Sequence, residues 1–248
     1  MAQRQSSGAR RSASHQRPFL VSFSGIDGAG KTTQIEALLA WLSQAGLRVR
    51  VLRFWDDVAV LSPLREALGH ALFKGEKGVG SPQKPVARRD KNVQTWYMTA
   101  VRFVLYLGDA VRLAVRVART STQDVDVIIF DRYLYDELAN LDLSKPISRA
   151  YAGWLLRLVP RPDCPLLLDA DPTEARARKP EYPVEFLHRN RAAYLALSDL
   201  AGGLTVIAVS AVEDVTRSML GSVEAALRTS LFRRQIPKSR SLAEIPHQ

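Results

Sequence analysis

Residues Gly25-Ile-Asp-Gly-Ala-Gly-Lys-Thr32 constrain this chain more than any other stretch, because they fit the pattern G-x-x-x-x-G-K-[ST]. The glycines let the backbone fold back, so that successive N–H groups converge on one hollow. Lys31 carries a positive charge to that hollow, and the Thr32 hydroxyl is an oxygen donor suited to Mg2+. The flanks agree with the loop. Phe19-Leu-Val-Ser-Phe23 reads as a short buried strand, and Ile35, Leu38, Leu39 and Leu42 recur at helical spacing up to Gly46, a natural stop. Strand, loop and helix in that order aim a helix N-terminus at an anion, which predicts a site for a nucleoside triphosphate.

Five short apolar stretches rich in Val, Ile or Leu, at 19–24, 48–54, 125–130, 165–169 and 204–209, alternate with helical ones. Strands of that composition are covered on both faces. The alternation predicts the α/β class, a three-layer fold around a central five-stranded parallel sheet, with ligands at the carboxyl ends of the strands. A single domain is expected over 19–231, between basic tails at 1–18 and 232–248 expected to be disordered. Lys74 to Asn92, with its glycines and prolines, reads as one long irregular loop.

The formal charge of +10 invites a nucleic-acid reading, but much of it sits at the ends. Arg4, Arg10, Arg11 and Arg17 meet no acid in the first tail, and Arg233, Arg234, Lys238 and Arg240 face only Glu244 in the second. The body between keeps a small positive balance, so a dedicated nucleic-acid binder is not expected. The lone Cys164 has no intramolecular disulfide partner and no companion ligands, and no apolar signal stretch opens the sequence; a cytoplasmic protein is expected. Phe103 to Val117 is interrupted by Asp109, Arg112 and Arg116, which predicts an ordinary helix and no membrane span.

Three further groups point to phosphoryl chemistry. Val125-Asp-Val-Ile-Ile-Phe130 runs straight into Asp131-Arg132-Tyr133. A carboxylate at such a strand end is placed to hold Mg2+, and the planar fork of Arg132 suits a phosphate. Asp27 lies inside the glycine loop, where a carboxylate beside a triphosphate is unwelcome unless it accepts a hydrogen bond from a second substrate or stabilises the turn. After the fourth strand, Asp171 or Thr173 can cap a helix, Pro172 suits its first turn, and Arg176, Arg178 and Lys179 gather before Pro180 and Pro183. A short lid over 174–184 with such cations would neutralise transferring phosphates, although they also complement the helix dipole.

Together these residues resemble the thymidylate kinase family, in the nucleoside monophosphate kinase branch of P-loop proteins. The likeness runs from Phe19 to Leu227 and is carried by Phe23-Ser-Gly-Ile-Asp-Gly-Ala-Gly-Lys-Thr-Thr-Gln34, Ile129-Phe-Asp-Arg-Tyr133, Leu168-Asp-Ala-Asp-Pro172 and Val206-Ile-Ala-Val-Ser-Ala-Val-Glu-Asp-Val215. The resemblance implies the P-loop NTPase fold, with ATP and Mg2+ as cofactors. It implies that Gly25, Ile26, Asp27, Gly28, Ala29, Gly30, Lys31, Thr32 and Thr33 surround ATP, and that Thr32 and Asp131 serve the metal. Asp27, Arg53, Arg102 and Arg132 would bind the acceptor, Asp27 through its 3′-hydroxyl. Gly28 stands where one subclass carries a catalytic arginine, so the lid residues Arg176 and Arg178 are expected to join Lys31 and Arg132 in catalysis. Small nucleotide substrates follow, and a homodimer is compatible.

Three departures lie on the acceptor side. Arg53 is followed by Phe-Trp-Asp-Asp-Val58 in place of Glu-Pro-Gly-Gly-Thr; Met98 takes the place of the aromatic that stacks on thymine, beside Trp96 and Tyr97; and Asn140-Leu141 replaces a Tyr-Gln pair. ATP-dependent transfer to a nucleoside monophosphate, dTMP above others, is the leading expectation. The alternatives are a related kinase with a different phosphate or hydroxyl acceptor, read by Asp56 and Asp57, and a nucleotide-binding regulator without catalysis.

Overall fold

The computed structural model of the chain describes residues 17–61 and 96–235. The stretch Lys74 to Asn92 and most of both tails lie outside the described residues. β1 (Phe19–Ser24) passes through the glycine loop into α1 (Lys31–Gln44), and β2 (Val49–Arg53) ends in a π-helical turn at Phe54–Val58. Then follow α2 (Trp96–Ser121), β3 (Val127–Asp131), α3 (Leu134–Leu138), α4 (Pro146–Leu158), β4 (Cys164–Asp169), α5 (Pro172–Arg178), α6 (Val184–Leu200), β5 (Thr205–Ala208) and α7 (Val212–Gln235).

All five strands pair in parallel in the order β2-β3-β1-β4-β5. Every residue of β1 is buried, as is the Val-Ile-Ile-Phe run of β3, so the central strands read as unbroken apolar runs because both faces are covered. Right-handed crossovers explain the layering. The chain leaves β1 toward one edge and leaves β3 toward the other, which puts α1 on one face and the helices after β2, β3 and β4 on the opposite face. The contacts agree: α1 and α7 pack on each other and on the sheet, while α4 packs against α2 and α6. This is the three-layer α/β architecture expected.

The carboxyl ends of β1 and β3 are neighbours whose connections diverge to opposite faces, the switch point where such sheets open a crevice. Phe23 stands opposite Asp131, and the Arg132 N–H donates to the Phe23 carbonyl at 3.1 Å. Local signals place the helix ends. Gly46, at φ 74°, turns the chain out of α1, and the Asp171 carboxylate caps α5 by accepting from the N–H groups of Thr173 and Glu174. Arg17 donates to the Arg161 carbonyl at 3.0 Å and approaches Asp163, and α7 continues to Gln235.

Candidate active site

The glycine loop takes the strand–loop–helix form its sequence implies. Gly25, Gly28 and Gly30 have φ of 141°, 86° and 87°, values that a side chain disfavours. Gly25 and Gly28 are also tight: a Cβ at Gly25 would come within 2.5 Å of the Leu168 carbonyl oxygen on β4, and one at Gly28 would overlap the Ala175 carbonyl on α5. The short helix of the expected lid therefore lies directly against the loop. No side chain fits at position 28 in this arrangement, in keeping with the absence of an arginine there.

Lys31 is buried, and its ammonium donates to the carbonyls of Gly25 at 2.7 Å and Ile26 at 2.9 Å. Burial, together with the nearby Arg132 charge, brings its pKa down to about 8, although Asp27, Asp136 and Asp131 pull the other way. Arg132 is the second cation of this cluster. It adopts a left-handed backbone, φ 69°, unusual for a residue with a side chain. Its Nη2 pairs with Asp27 and its Nη1 lies 3.5 Å from Asp136. Burial alone would discourage its charge, but Asp27 and Asp136 outweigh that and hold it firmly cationic.

The structure thus brings Asp27, Lys31, Asp131 and Arg132 to one place from two adjacent strand ends. Arg53 lies at the edge of the same region, at the end of β2, opposite Asp131 in the ladder and exposed. Arg102 is buried on α2. Of the expected lid cations, Arg176 donates to the Tyr182 carbonyl within its own segment, and Arg178 is exposed. Trp96, Tyr97 and Met98 open α2, but their side chains lie outside the described residues.

The Phe54–Val58 turn gives one of its two acids a structural role. Asp57 accepts from the Arg53 N–H at 2.9 Å and pairs with Arg116 of α2 at 2.8 Å, so it fastens the end of β2 to the helix. Asp56 is exposed. Next to it, Asp109, wholly buried, accepts from the Val60 N–H at 2.7 Å. Asp57 and Asp109 are thus occupied by the protein's own backbone and Arg116.

Sequence reasoning missed two side chains that the fold places here. Asp136, on α3, is buried and binds Ser24, Tyr133 and Tyr194 as well as Arg132. Arg191 on α6 forks both oxygens of Asp169 at the end of β4, at 2.5 and 2.7 Å, and that hydrogen-bonded pairing raises its pKa. The only local hint was the i,i+4 spacing of Arg132 and Asp136.

Two hard oxygens could hold a metal here: the exposed Thr32 hydroxyl at the first turn of α1 and the half-buried Asp131 carboxylate on the neighbouring strand end. Among the described residues no group of three His, Cys, Asp or Glu makes a closed metal cage. Two oxygen donors completed by phosphate oxygens and water suit Mg2+, which keeps several waters and demands octahedral oxygen ligation. A cavity of about 500 Å3 lies between the residues following α3 and α6, lined by Asn140, Leu141, Phe186 and Asn190 among others. None of the loop residues or site arginines named above lines it. No helix among the described residues is long and apolar enough to cross a membrane.

No protein-family model matches the chain. Individual relatives do. It is 30% identical over 189 residues to a thymidylate kinase of Bifidobacterium longum, covering 72% of this chain and 82% of that protein. It is 28% identical over 201 residues to a probable thymidylate kinase of Methanosphaera stadtmanae, covering 79% of this chain and 92% of the relative. The crystal structure of thymidylate kinase from Ehrlichia chaffeensis superposes with a TM-score of 0.53 at 20% identity, over 85% of this chain and 99% of that one, a likeness of fold. With a phosphate-binding loop, an Asp-Arg strand end and a fold shared along most of its length, the chain is an enzyme that belongs to the thymidylate kinase family.

Proposed function

We propose that this enzyme transfers the γ-phosphoryl group of ATP, with Mg2+, to a nucleoside monophosphate, and that the acceptor is dTMP. The observation that carries the reading is the cluster of Lys31, Asp27, Asp131 and Arg132 at two adjoining strand ends: one cation for a triphosphate and one forked cation for a second phosphate. The relatives named thymidylate kinase support dTMP as the acceptor.

An oxygen of the acceptor phosphate forms a bond to the γ-phosphorus while the bond from that phosphorus to its bridging oxygen breaks, giving a diphosphate and ADP. The acceptor oxygen is already anionic and needs no strong base, so the protein aligns the partners and neutralises charge. The loop backbone from Gly25 to Thr33 would cradle the phosphates. Lys31 would exchange the Gly25 and Ile26 carbonyls for β- and γ-oxygens. Thr32 and Asp131 would hold Mg2+, which supplies Lewis-acid neutralisation when bound. Arg132, with Arg53 and Arg102, would seat the acceptor phosphate, and Asp27 its sugar hydroxyl. Arg176, after leaving the Tyr182 carbonyl, and Arg178 would close over the transferring group from the 174–184 lid.

The same proposal takes 19–231 as one kinase unit residing in the cytoplasm, and a homodimer as its assembly. Val104, Val111 and Val115 on α2 are exposed, as are Ile147, Trp154 and Leu158 on the adjoining α4. Apolar side chains so gathered favour a covered surface; sedimentation as a monomer at micromolar concentration would reject the dimer.

The decisive experiment is an acceptor screen with ATP and Mg2+, scoring ADP release against dTMP, dUMP, other monophosphates and uncharged sugars. dTMP is expected to be the best acceptor. Undetectable dTMP phosphorylation beside strong activity on an uncharged hydroxyl would overturn the reading.

A further inference from the structure

A carboxylate is seldom fully buried unless it is paired or richly hydrogen-bonded. Asp136, 4% exposed, is both. One oxygen, Oδ2, accepts from the Ser24 hydroxyl at 2.7 Å and the Tyr133 N–H at 3.0 Å. The other, Oδ1, accepts from the Tyr194 hydroxyl at 2.8 Å and faces Arg132 Nη1 at 3.5 Å. The Oδ2 contacts are enough to cap α3 and tie it to the end of β1. The Oδ1 contacts do something else: they join α6, through Tyr194, to the guanidinium of Arg132. A phenylalanine would pack as well as Tyr194, so the buried hydroxyl is explained by this bond.

The two carboxylates on Arg132 are not equivalent. Asp27 sits on the glycine loop and makes the close pair through Nη2. Asp136 is already satisfied by three other donors and stands farther off on Nη1, so it orients the fork more than it neutralises it. An incoming phosphate can therefore displace Asp27 while Asp136 keeps its grip.

We propose that Asp136, fixed by Tyr194, is a positioning residue that holds Arg132 with its outer N–H groups turned to the acceptor phosphate. The inference rests on the reading of Arg132 as the acceptor-phosphate ligand.

The test is steady-state kinetics of Asp136→Asn and Tyr194→Phe, each alone and combined with Arg132→Ala, with dTMP and ATP varied separately and thermal melts run alongside. Asp136→Asn is expected to raise the KM for dTMP about tenfold, as for loss of a charge-assisted hydrogen bond, and to leave the KM for ATP within about twofold. Tyr194→Phe should raise it about threefold by the same reasoning. In the Arg132→Ala background neither substitution should raise it further, because both act through Arg132. Equal rises for both substrates, or a full additional penalty in that background, would overturn the positioning role while Arg132→Ala still weakened dTMP use. An Arg132→Ala enzyme with unchanged KM for dTMP, or an unaltered enzyme with no dTMP turnover, would remove the underlying reading and this one with it. If Asp136→Asn fails to fold, Tyr194→Phe decides alone.

Discussion

Gly28 in the phosphate-binding loop and Ala175 on α5 touch backbone to backbone, so closely that a Cβ on Gly28 would overlap the Ala175 carbonyl. The loop proposed to receive a nucleotide and the helix that begins its expected lid are thus packed as one unit. Gly28→Ala should suffer twice: about 1–2 kcal/mol for a side chain in a left-handed conformation, and the displacement of α5. Denaturant melts and turnover measured together should both show the loss. Unchanged midpoint and activity would mean that the helix yields freely.

Lys31→Ala is expected to lower kcat by more than tenfold, a barrier change of more than about 1.4 kcal/mol, while the chain still folds. Among the described residues the ammonium's hydrogen bonds go to the Gly25 and Ile26 carbonyls of its own loop, so its removal leaves the sheet core intact. Circular dichroism with a turnover assay separates the two effects.

The lowered pKa of Lys31 has a sign that can be followed. With a folded value of about 8 against an ordinary 10.5, the unfolded chain binds more protons between those limits. This group's contribution to stability therefore rises with pH across that window. Nucleotide phosphates favour the charged form, so binding above about pH 8 should take up a proton and weaken as pH rises further. Titration calorimetry of ATP binding in buffers of different ionisation enthalpy reads the uptake; none at pH 9 would contradict the burial argument.

Asp56 and Asp57 should part company on substitution. Asp57→Gly removes the partner of the Arg53 N–H and of Arg116, both half-exposed contacts, and should cost about 1 kcal/mol of stability. Asp56→Gly lies on the exposed side of the turn and should change stability and dTMP kinetics little. A gain in dTMP activity from either change would revive a different acceptor.

What the sequence made legible was mostly local. The alternation of apolar runs located all five strands to within about two residues, because strands covered on both faces carry continuous Val, Ile and Leu. Strand, glycines and helix periodicity similarly located the loop, and Asp171 with Pro172 the start of α5. Hidden were contacts between distant parts of the chain. Tyr194 meets Asp136 across 58 positions, and Asp57 meets Arg116 across 59, separations at which no spacing rule operates. Arg191 looked like any helix cation until the fold carried it to Asp169. The Arg176 contact is short in sequence but depends on the path of the chain through Pro180 and Pro183, which fixes where the Tyr182 carbonyl points.

The left-handed backbone at Arg132 sets two selective demands against each other. Glycine would sit there without steric cost, but it would strip Asp27 and the buried Asp136 of their cation. The long, charged side chain is retained on an uncomfortable backbone where its guanidinium meets two carboxylates from different elements. A backbone relaxed by glycine at this position would therefore come with two stranded acids, and a search for heat-resistant variants should pass it over.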